Sequence, residues 1–299
     1  MANTSCLRAL ALLSIVLLHC PLHSAAPSKR IIYRLTDCTA EQLQHLPKLS
    51  AIFELSAVTC NISMLPSAYF RRFSALTALE VRESGLTNID DNALNGLDQL
   101  QWLSLAWNYI TIVKVWATEP LKALHMLDLE GNAIRTLNAE SFSCYPNLQY
   151  LSLAANMLER IDSDAFTQLP HLKHLNLAHN RLSVIESSSF RGMQRLAHLS
   201  LQHNGIEHVE AESFETNTHL RSLCLDDNKL QDLEFLRSKP LKRLLHLNLS
   251  HNQVETLDVL ATGEWAVMDL DVSYNRLEEV QTDTFGGLEG LMVSCERRE

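Results

Sequence analysis

The stretch LQWLSLAWNYI at Leu100–Ile110 returns as LHMLDLEGNAI at Leu124–Ile134 and again as LQYLSLAANML at Leu148–Leu158. Each of these copies begins 24 residues after the one before it. Five more copies follow, the last of them after a step of 23 residues, and they begin at Leu172, Leu196, Leu220, Leu244 and Val267. A period of this length predicts one supersecondary unit that is stacked many times, because a single unit cannot bury its own apolar face.

The copies share leucine, with valine twice in the last copy, at the first, fourth and sixth places, and asparagine at the ninth. The leucines are predicted to point inward from a short strand, so that stacked coils bury them in one continuous core. The asparagines fall where the chain leaves the strand, and each amide is expected to satisfy buried backbone groups of that turn. This predicts a structural ladder of Asn108, Asn132, Asn156, Asn180, Asn204, Asn228, Asn252 and Asn275.

Two weaker copies precede these in the same phase. One begins at Ile52 with Cys60 in the asparagine place, and the other begins at Leu76 with Ser84 there. The second half of the period carries phenylalanine at a constant place, a predicted spine behind the sheet, at Phe70, Phe142, Phe166, Phe190, Phe214 and Phe285. Three copies have a small polar residue there, where looser packing and irregular geometry are expected, at Thr118, Ser238 and Thr262.

This pattern is the leucine-rich-repeat signature, and it runs from about Ile52 to Leu288. The 24-residue form with its phenylalanine resembles the typical repeats of Toll-type receptor ectodomains and of short secreted leucine-rich immune proteins of insects. The resemblance implies an α/β solenoid, a curved horseshoe of about ten coils with a concave parallel β-sheet and loops or short helical turns behind it. It also implies recognition of a protein or of a pathogen-derived molecule.

The first residues indicate a secretory signal over residues 1–26, with Arg8 before the apolar run Leu10–Leu18 and small residues at Ser24–Ala26. The run is too short to span a bilayer comfortably, and the polar end Ser294–Glu299 carries no anchor pattern. The expected organisation continues with an N-terminal cap over 27–51, the solenoid over 52–290 and an incomplete last coil or tail over 291–299. We therefore expect a soluble, secreted, extracellular product without a membrane span; an uncleaved anchor is the alternative.

The formal net charge of −10 argues against a nucleic-acid partner, because neutralising phosphates requires clustered lysine and arginine. The sequence contains no nucleophile motif, phosphate-binding glycine loop or paired carboxylates outside the repeat phase. We therefore predict no catalytic residues, no cofactor and no metal. The expected partner is another protein or a pathogen surface molecule.

The cysteines after the predicted signal lie in an oxidising compartment, where disulfides persist. Cys38 lies about one coil before Cys60, so a disulfide between them would pin the cap over the open core; two unpaired core cysteines are the alternative. Three cysteines have no partner of matching phase in a neighbouring coil, namely Cys144, Cys224 and Cys295. Cys295 is the candidate for an interchain disulfide and hence a homo- or heterodimer, against a buried thiol or a bridge to sequence outside this chain.

Residues in a strand alternate, so the outward places of each copy can be deduced. In the early coils they carry a predicted ligand-binding patch of aromatic residues and methionine with charge beside them: Trp102, Trp107, Met126, Asp128, Glu130 and Tyr150. Glu80 borders this patch. Such a composition is typical of protein-binding surfaces, whereas the alternative is that the side chains lie flat over apolar surface without a partner.

The later coils carry outward histidines in two columns, His174, His198 and His246 in one and His179, His203 and His251 in the other. Strands about 4.8 Å apart would bring His174 and His198 together. These columns are either a metal site or switch titrating near pH 6, or ordinary surface residues. We favour the second interpretation, because no cysteine or carboxylate cluster of metal-binding spacing is evident beside them.

Two glycosylation acceptors follow the predicted signal, at Asn61 and Asn248. A glycan on Asn248 would obstruct the histidine half of the face and direct recognition to the aromatic half. The leading hypothesis is a secreted recognition protein that binds its ligand on the concave face, in innate immunity. The alternative is an extracellular structural adaptor or a developmental ligand trap on the same solenoid.

Overall fold

The computed structural model describes residues 31–46, 52–67, 69–261, 265–277 and 292–295. Within these ranges the strands are β1 (Ile31–Thr36), β2 (Ile52–Val58), β3 (Met64–Leu65), β4 (Ala78–Arg82), β5 (Asn88–Ile89), β6 (Trp102–Ser104), β7 (Met126–Asp128), β8 (Tyr150–Ser152), β9 (His174–Asn176), β10 (Val184–Ile185), β11 (His198–Ser200), β12 (His208–Val209), β13 (Ser222–Cys224), β14 (His246–Asn248), β15 (Asp269–Asp271) and β16 (Met292–Ser294). One short α-helix, α1, spans Ala40–Gln44, and 3-10 helices span Tyr69–Arg72, Glu234–Arg237, Lys239–Arg243 and Asp258–Ala261. The predicted signal, Thr262 and Phe285 lie outside the described residues.

Twelve of the described strands form one parallel sheet, in the order β1, β2, β4, β6, β7, β8, β9, β11, β13, β14, β15, β16. From β4 to β15 each strand pairs with that of the next coil, so that the same place of the repeat faces the same place: Leu103 pairs with Leu127, and Leu127 with Leu151. The predicted fold class, a leucine-rich solenoid of about ten coils, is confirmed. Two further pairs, β3 with β5 and β10 with β12, lie outside this sheet.

The core of the solenoid is a column of inward leucines that runs from coil to coil. The central leucine of each strand, for example Leu103, Leu127 or Leu151, is completely buried. Burying one leucine contributes about 1.5–3 kcal/mol, and in a solenoid that burial depends on the neighbouring coils. Stability is therefore shared between adjacent coils rather than belonging to any one of them.

The ninth-place asparagines lie in the predicted ladder. The Nδ2 of Asn132 donates to the carbonyl oxygens of Leu105 at 3.0 Å, Leu129 at 3.0 Å and Glu130 at 3.3 Å. Its Oδ1 accepts from the Ile110 N–H at 3.0 Å. The other seven asparagines make the same contacts one coil further along or back. Each side-chain amide thus forms hydrogen bonds with backbone groups of its own turn and of the turn in the preceding coil.

The eighth place, just before each ladder asparagine, has a left-handed backbone in every coil from the weaker copies onward. Its φ is 54° at Thr59, 50° at Glu83, 55° at Trp107, 67° at Gly131, 52° at Ala155, 55° at His179, 53° at His203, 54° at Asp227, 55° at His251 and 58° at Tyr274. A non-glycine residue in this region costs roughly 1–2 kcal/mol. The hydrogen-bonded ladder offsets this cost, and it aligns the eighth-place side chains as a second outward column.

The convex side carries the predicted phenylalanine spine, which is fully buried at Phe70, Phe142, Phe166, Phe190 and Phe214. The expected looser packing is wrong in two coils. Trp116 comes shortly before Thr118 in the sequence, and Phe235 shortly before Ser238. Both rings are fully buried, so an aromatic residue from a shifted place fills the core where the phenylalanine is missing. Irregular geometry is present as expected around Ser238, which separates two 3-10 helices.

The N-terminal coil is closed by β1, which pairs in parallel with β2, and by α1. A capping box starts α1: the Thr39 hydroxyl accepts from the Gln42 N–H at 3.3 Å, and the Gln42 side chain accepts from the Thr39 N–H at 2.9 Å. The predicted disulfide joins Cys38 to Cys60, with 4.3 Å between their Cα atoms. A loop of this length contributes about 3 kcal/mol in the chain-entropy account.

Candidate functional site

A continuous ridge of large side chains crosses three early strands on the outward face of the sheet. The register places Trp102 beside Met126 and Met126 beside Tyr150. All three are partly exposed, and neighbouring strands lie about 4.8 Å apart. We call Trp102, Met126 and Tyr150 the aromatic ridge. The structure thus brings together three of the six residues of the predicted patch in one column.

Trp107 lies in the eighth-place column rather than in the ridge, and 45% of its surface is exposed. Its indole crosses the backbone of the next coil at Gly131, where an added Cβ would lie 2.5 Å from the ring. Gly131 also has a positive φ of 67°. A glycine is therefore needed under the ring, and one face of Trp107 lies flat on the solenoid while the other faces solvent.

Carboxylates line the next outward column. Asp128 accepts from the Ser104 hydroxyl at 3.1 Å and from the Glu130 N–H at 3.1 Å. Burial raises the pKa of Asp128 above its ordinary value, while these hydrogen bonds and Arg82 oppose the shift. Burial and the charge of Asp128 together raise the pKa of Glu130, again opposed by Arg82. The two acids are thus partly desolvated with one arginine acting on both, so a cation placed here would be favoured.

The same environment acts on the ridge itself. Burial, followed by the charges of Asp128 and Glu130, raises the pKa of Tyr150 to about 12. The phenol therefore remains a neutral hydrogen-bond donor over the whole physiological range. Glu80 lies in the column of Asp128 two coils earlier, with Ser104 between them, and accepts from the Ser56 hydroxyl at 2.5 Å.

The later coils carry the two histidine columns as predicted. His174 stacks on His198 with ring centroids 4.5 Å apart, and His179 stacks on His203 at 4.3 Å. Burial, followed by His198 and Lys173, lowers the pKa of His174 to about 4. Burial also lowers the pKa of His198 and of His179. His174 is therefore neutral near pH 6, and this ring does not carry a switch at that pH.

The expectation that no carboxylate cluster accompanies the histidines is wrong. The His203 Nδ1 lies 3.5 Å from the Asp227 Oδ2, and the ligand atoms of His203, Asp226 and Asp227 all lie within 4.8 Å of one another. The cluster escapes a search for closely spaced motifs because its members come from two coils. In a solenoid with this period, a separation of 24 residues places two side chains side by side.

The remaining predicted sites are dispersed over the solenoid. Cys144 is buried with its thiol near the Ala117 carbonyl oxygen at 3.3 Å, and Cys295 is exposed; both are free thiols. Cys224 is buried in the outward column of β13. Asn61 is exposed beside the cap, whereas the partly buried Asn248 accepts through Oδ1 from the Ser250 N–H at 3.0 Å and hydroxyl at 2.8 Å.

Among the described helices, none has the length and apolar character that a membrane crossing requires. A comparison with curated proteins finds no match. Solved structures similar to the chain include TLR13 in complex with ssRNA13, with 28% identity and a TM-score of 0.76 over 86% of this chain and 38% of that one. The mouse RP105/MD-1 complex is similar with 21% identity and a TM-score of 0.69, and the match covers 83% of this chain and 42% of that one. The Drosophila Toll–Spatzle complex is similar with 17% identity and a TM-score of 0.59, and the match covers 83% of this chain and 41% of that one.

The chain thus spans about two fifths of the length of these three relatives. The family profile of the leucine-rich repeat matches residues 55–110, 113–158, 146–206 and 194–254. The matched segments coincide with the coils that form the sheet from β2 to β14. The chain therefore belongs to the leucine-rich-repeat family, with the fold of a Toll-type receptor ectodomain.

Proposed function

We propose that this chain is an extracellular recognition protein that binds a polypeptide ligand through the aromatic ridge and the carboxylates beside it. The observation that carries the proposal is the in-register column of Trp102, Met126 and Tyr150 across three adjacent strands. Tryptophan and tyrosine held on a rigid sheet supply a large contact area at a small cost in side-chain entropy, and methionine adds an adaptable apolar surface between them.

The charges beside the ridge define the ligand further. Asp128 and Glu130 are partly desolvated carboxylates, and Glu80 lies two coils earlier in the column of Asp128. A ligand that presents an apolar side chain flanked by lysine or arginine would bury the ridge and neutralise these acids together. A phosphate backbone would meet like charge on the same surface.

The structural relatives support binding without deciding the ligand. The TLR13 structure contains single-stranded RNA, the Toll structure contains Spatzle and the RP105 structure contains MD-1. The fold therefore accommodates both RNA and polypeptides. The net charge of −10 and the carboxylates at the ridge favour a polypeptide, either a host protein or a pathogen surface molecule.

We further propose that the protein is secreted, acts in innate immunity and has no enzymatic activity or cofactor. The Cys38–Cys60 disulfide supports an oxidising, extracellular compartment. The alternative is a structural adaptor or a developmental ligand trap, and the Toll–Spatzle complex is itself described as a hub in development and innate immunity. Expression induced by infection would support the first role, and constitutive tissue deposition the second.

The test is quantitative binding by the purified secreted chain. Ligand is captured from extracellular fluid, with and without microbial challenge, identified by mass spectrometry and then purified for affinity measurement. The double variant Trp102→Ala/Tyr150→Ala is expected to weaken binding by roughly 1,000-fold, since each hot-spot side chain contributes about 2 kcal/mol. The matched control is Tyr109→Ala, an aromatic residue that is 65% exposed in the turn after the sheet.

Equal affinity of the double variant and the wild-type chain would remove the ridge from the proposal. Single-stranded RNA is a separate arm of the same assay. Binding of RNA at physiological salt with a steep salt dependence would show that the polypeptide assignment is wrong.

A further inference from the structure

A second cluster begins two coils beyond the ridge, and it combines one imidazole with two carboxylates. His203 occupies the eighth place of its coil, while Asp226 and Asp227 occupy the seventh and eighth places of the next coil. Strands β11 and β13 pair in register, so these places lie side by side. The ligand atoms of the three residues lie within 4.8 Å of one another.

The distances fit a small transition-metal ion. Zinc binds imidazole nitrogen and carboxylate oxygen at about 2.0–2.2 Å, which places two ligands of a tetrahedral site about 3.4 Å apart. The His203 Nδ1 and the Asp227 Oδ2 are already 3.5 Å apart. The three ligand atoms lie within 4.8 Å of one another, so bringing Asp226 to a separation of about 3.4 Å requires its carboxylate oxygen to move by at most about 1.4 Å.

Two neighbouring oxygen atoms lack the hydrogen-bond donors that buried acceptors normally have. The Asp226 Oδ1 and the Gln202 Oε1 are both buried and have no hydrogen-bond partner among the described residues. Gln202 and Asp226 hold the same place in adjacent coils, so the two atoms belong to one column. A cation held by Asp226 would supply the partner that its Oδ1 lacks.

The electrostatics agree with this geometry. The Asp227 and Asp271 carboxylates place further negative charge near Asp226, and the His203 imidazole belongs to the same cluster. A divalent cation between the carboxylates would remove their mutual repulsion. It would also replace the hydration that burial removes from Asp226.

We infer that His203, Asp226 and Asp227 form a zinc-binding site. A ligand set of one imidazole nitrogen and two carboxylates suits zinc, whereas calcium and magnesium prefer oxygen ligands alone. Three protein ligands leave the fourth position open. His203 and Asp227 are 44% and 40% exposed at their side chains, so that position faces solvent and is accessible to a donor from another molecule.

The chain contains a matched pair with one carboxylate fewer. The His208 Nδ1 lies 3.9 Å from the Asp232 Oδ2, and both side chains are about half exposed. The spacing along the sequence is again 24 residues. This pair provides two ligands rather than three, and is therefore expected to bind zinc much more weakly.

The experiment is calorimetric titration of zinc chloride into the full-length secreted chain, freed of chelators and of any affinity tag. The expected result is one saturable site per chain. Asp226→Asn and Asp227→Asn, which keep size and shape, should each weaken zinc binding at least about 10-fold. His208→Gln should leave the affinity unchanged. Cobalt chloride should give the visible absorption of a tetrahedral site with the wild-type chain and lose it with Asp227→Asn.

Three results would overturn the inference. The first is no saturable zinc binding by the wild-type chain, and the second is an unchanged zinc affinity of Asp227→Asn. The third is loss of zinc binding in His179→Gln while the two aspartate variants keep the wild-type affinity. The last result would place the metal on the stacked rings of His179 and His203. Equal thermal unfolding midpoints of all variants in the presence of EDTA exclude misfolding as the cause of any loss. The outcome is independent of the proposed ridge, which lies in other coils.

Discussion

The coils around Trp102 and the coils around His203 share one backbone and differ in their outward chemistry. Both regions have a buried central leucine, a ladder asparagine and a left-handed eighth place. In the early coils the outward columns hold indole, thioether and phenol groups, whereas in the later coils they hold imidazoles and carboxylates. The residues at the inward places of the repeat therefore determine the scaffold, while those at a few outward places determine what a coil binds.

The largest expected effect tests whether the two regions share one core. Leu127→Ala in the early coils and Leu223→Ala in the later coils should each lower the free energy of unfolding by about 3–5 kcal/mol, because both side chains are completely buried. Urea denaturation followed by circular dichroism measures this loss. A loss below about 1 kcal/mol in either region would contradict a single continuous core.

The ladder should show a somewhat smaller and again equal effect. Asn132→Ala and Asn228→Ala each remove the bonds to three carbonyl oxygens, which keep another donor, and leave one N–H, that of Ile110 or Ile206, without a partner. Each should therefore cost about 2–3 kcal/mol in the same denaturation assay. Asn147→Ala is the control, because Asn147 donates a single bond, at 2.8 Å, to the Lys122 carbonyl oxygen near the surface. A control variant as costly as the ladder variants would speak against the ladder.

The eighth place of the early coils holds a glycine under the Trp107 ring. Gly131→Ala would put a Cβ 2.5 Å from the Trp107 ring at a positive φ, and should cost about 1–2 kcal/mol and change the tryptophan fluorescence. Ala155→Gly, one coil further on at a φ of 52°, relieves strain and should be neutral or stabilising. If Gly131→Ala left both stability and fluorescence unchanged, Trp107 would not lie on that backbone.

The smallest effect concerns pH and belongs to the later coils. The folded-state pKa of His174 is about 4, below its ordinary value of 6.5, so the unfolded chain takes up the proton first. Stability is therefore full above about pH 6.5 and is lost as the pH falls toward 4, by about 1 kcal/mol after allowance for solvent screening. His174→Gln should flatten this dependence, whereas Tyr150→Phe in the early coils should not. An unchanged slope in His174→Gln would show that another group is responsible.

The period of the sequence accounts for the sheet, its register, the leucine core and the ladder, because each of these repeats within a single coil. It does not account for Trp116 and Phe235, which fill the core from shifted places where Thr118 and Ser238 interrupt the phenylalanine spine. Those replacements depend on the shape of the neighbouring coil.

The same reason explains what was predictable at the two candidate sites. The aromatic ridge lies in one column, the third place of three successive copies, and it is evident once the copies are aligned. The cluster of His203, Asp226 and Asp227 crosses two coils and two columns, so it becomes visible when residues 24 apart are treated as neighbours. The flat packing of Trp107 over Gly131 likewise needed the three-dimensional structure.

Hydrogen–deuterium exchange of the chain with and without its purified ligand tests the central claim most directly. Binding through the ridge predicts slower exchange at the amides from Trp102 to Ser152 that border β6, β7 and β8, with no change in the convex turns behind them. Protection confined to the convex turns, or to the later coils from His174 onward, would contradict recognition through the aromatic ridge.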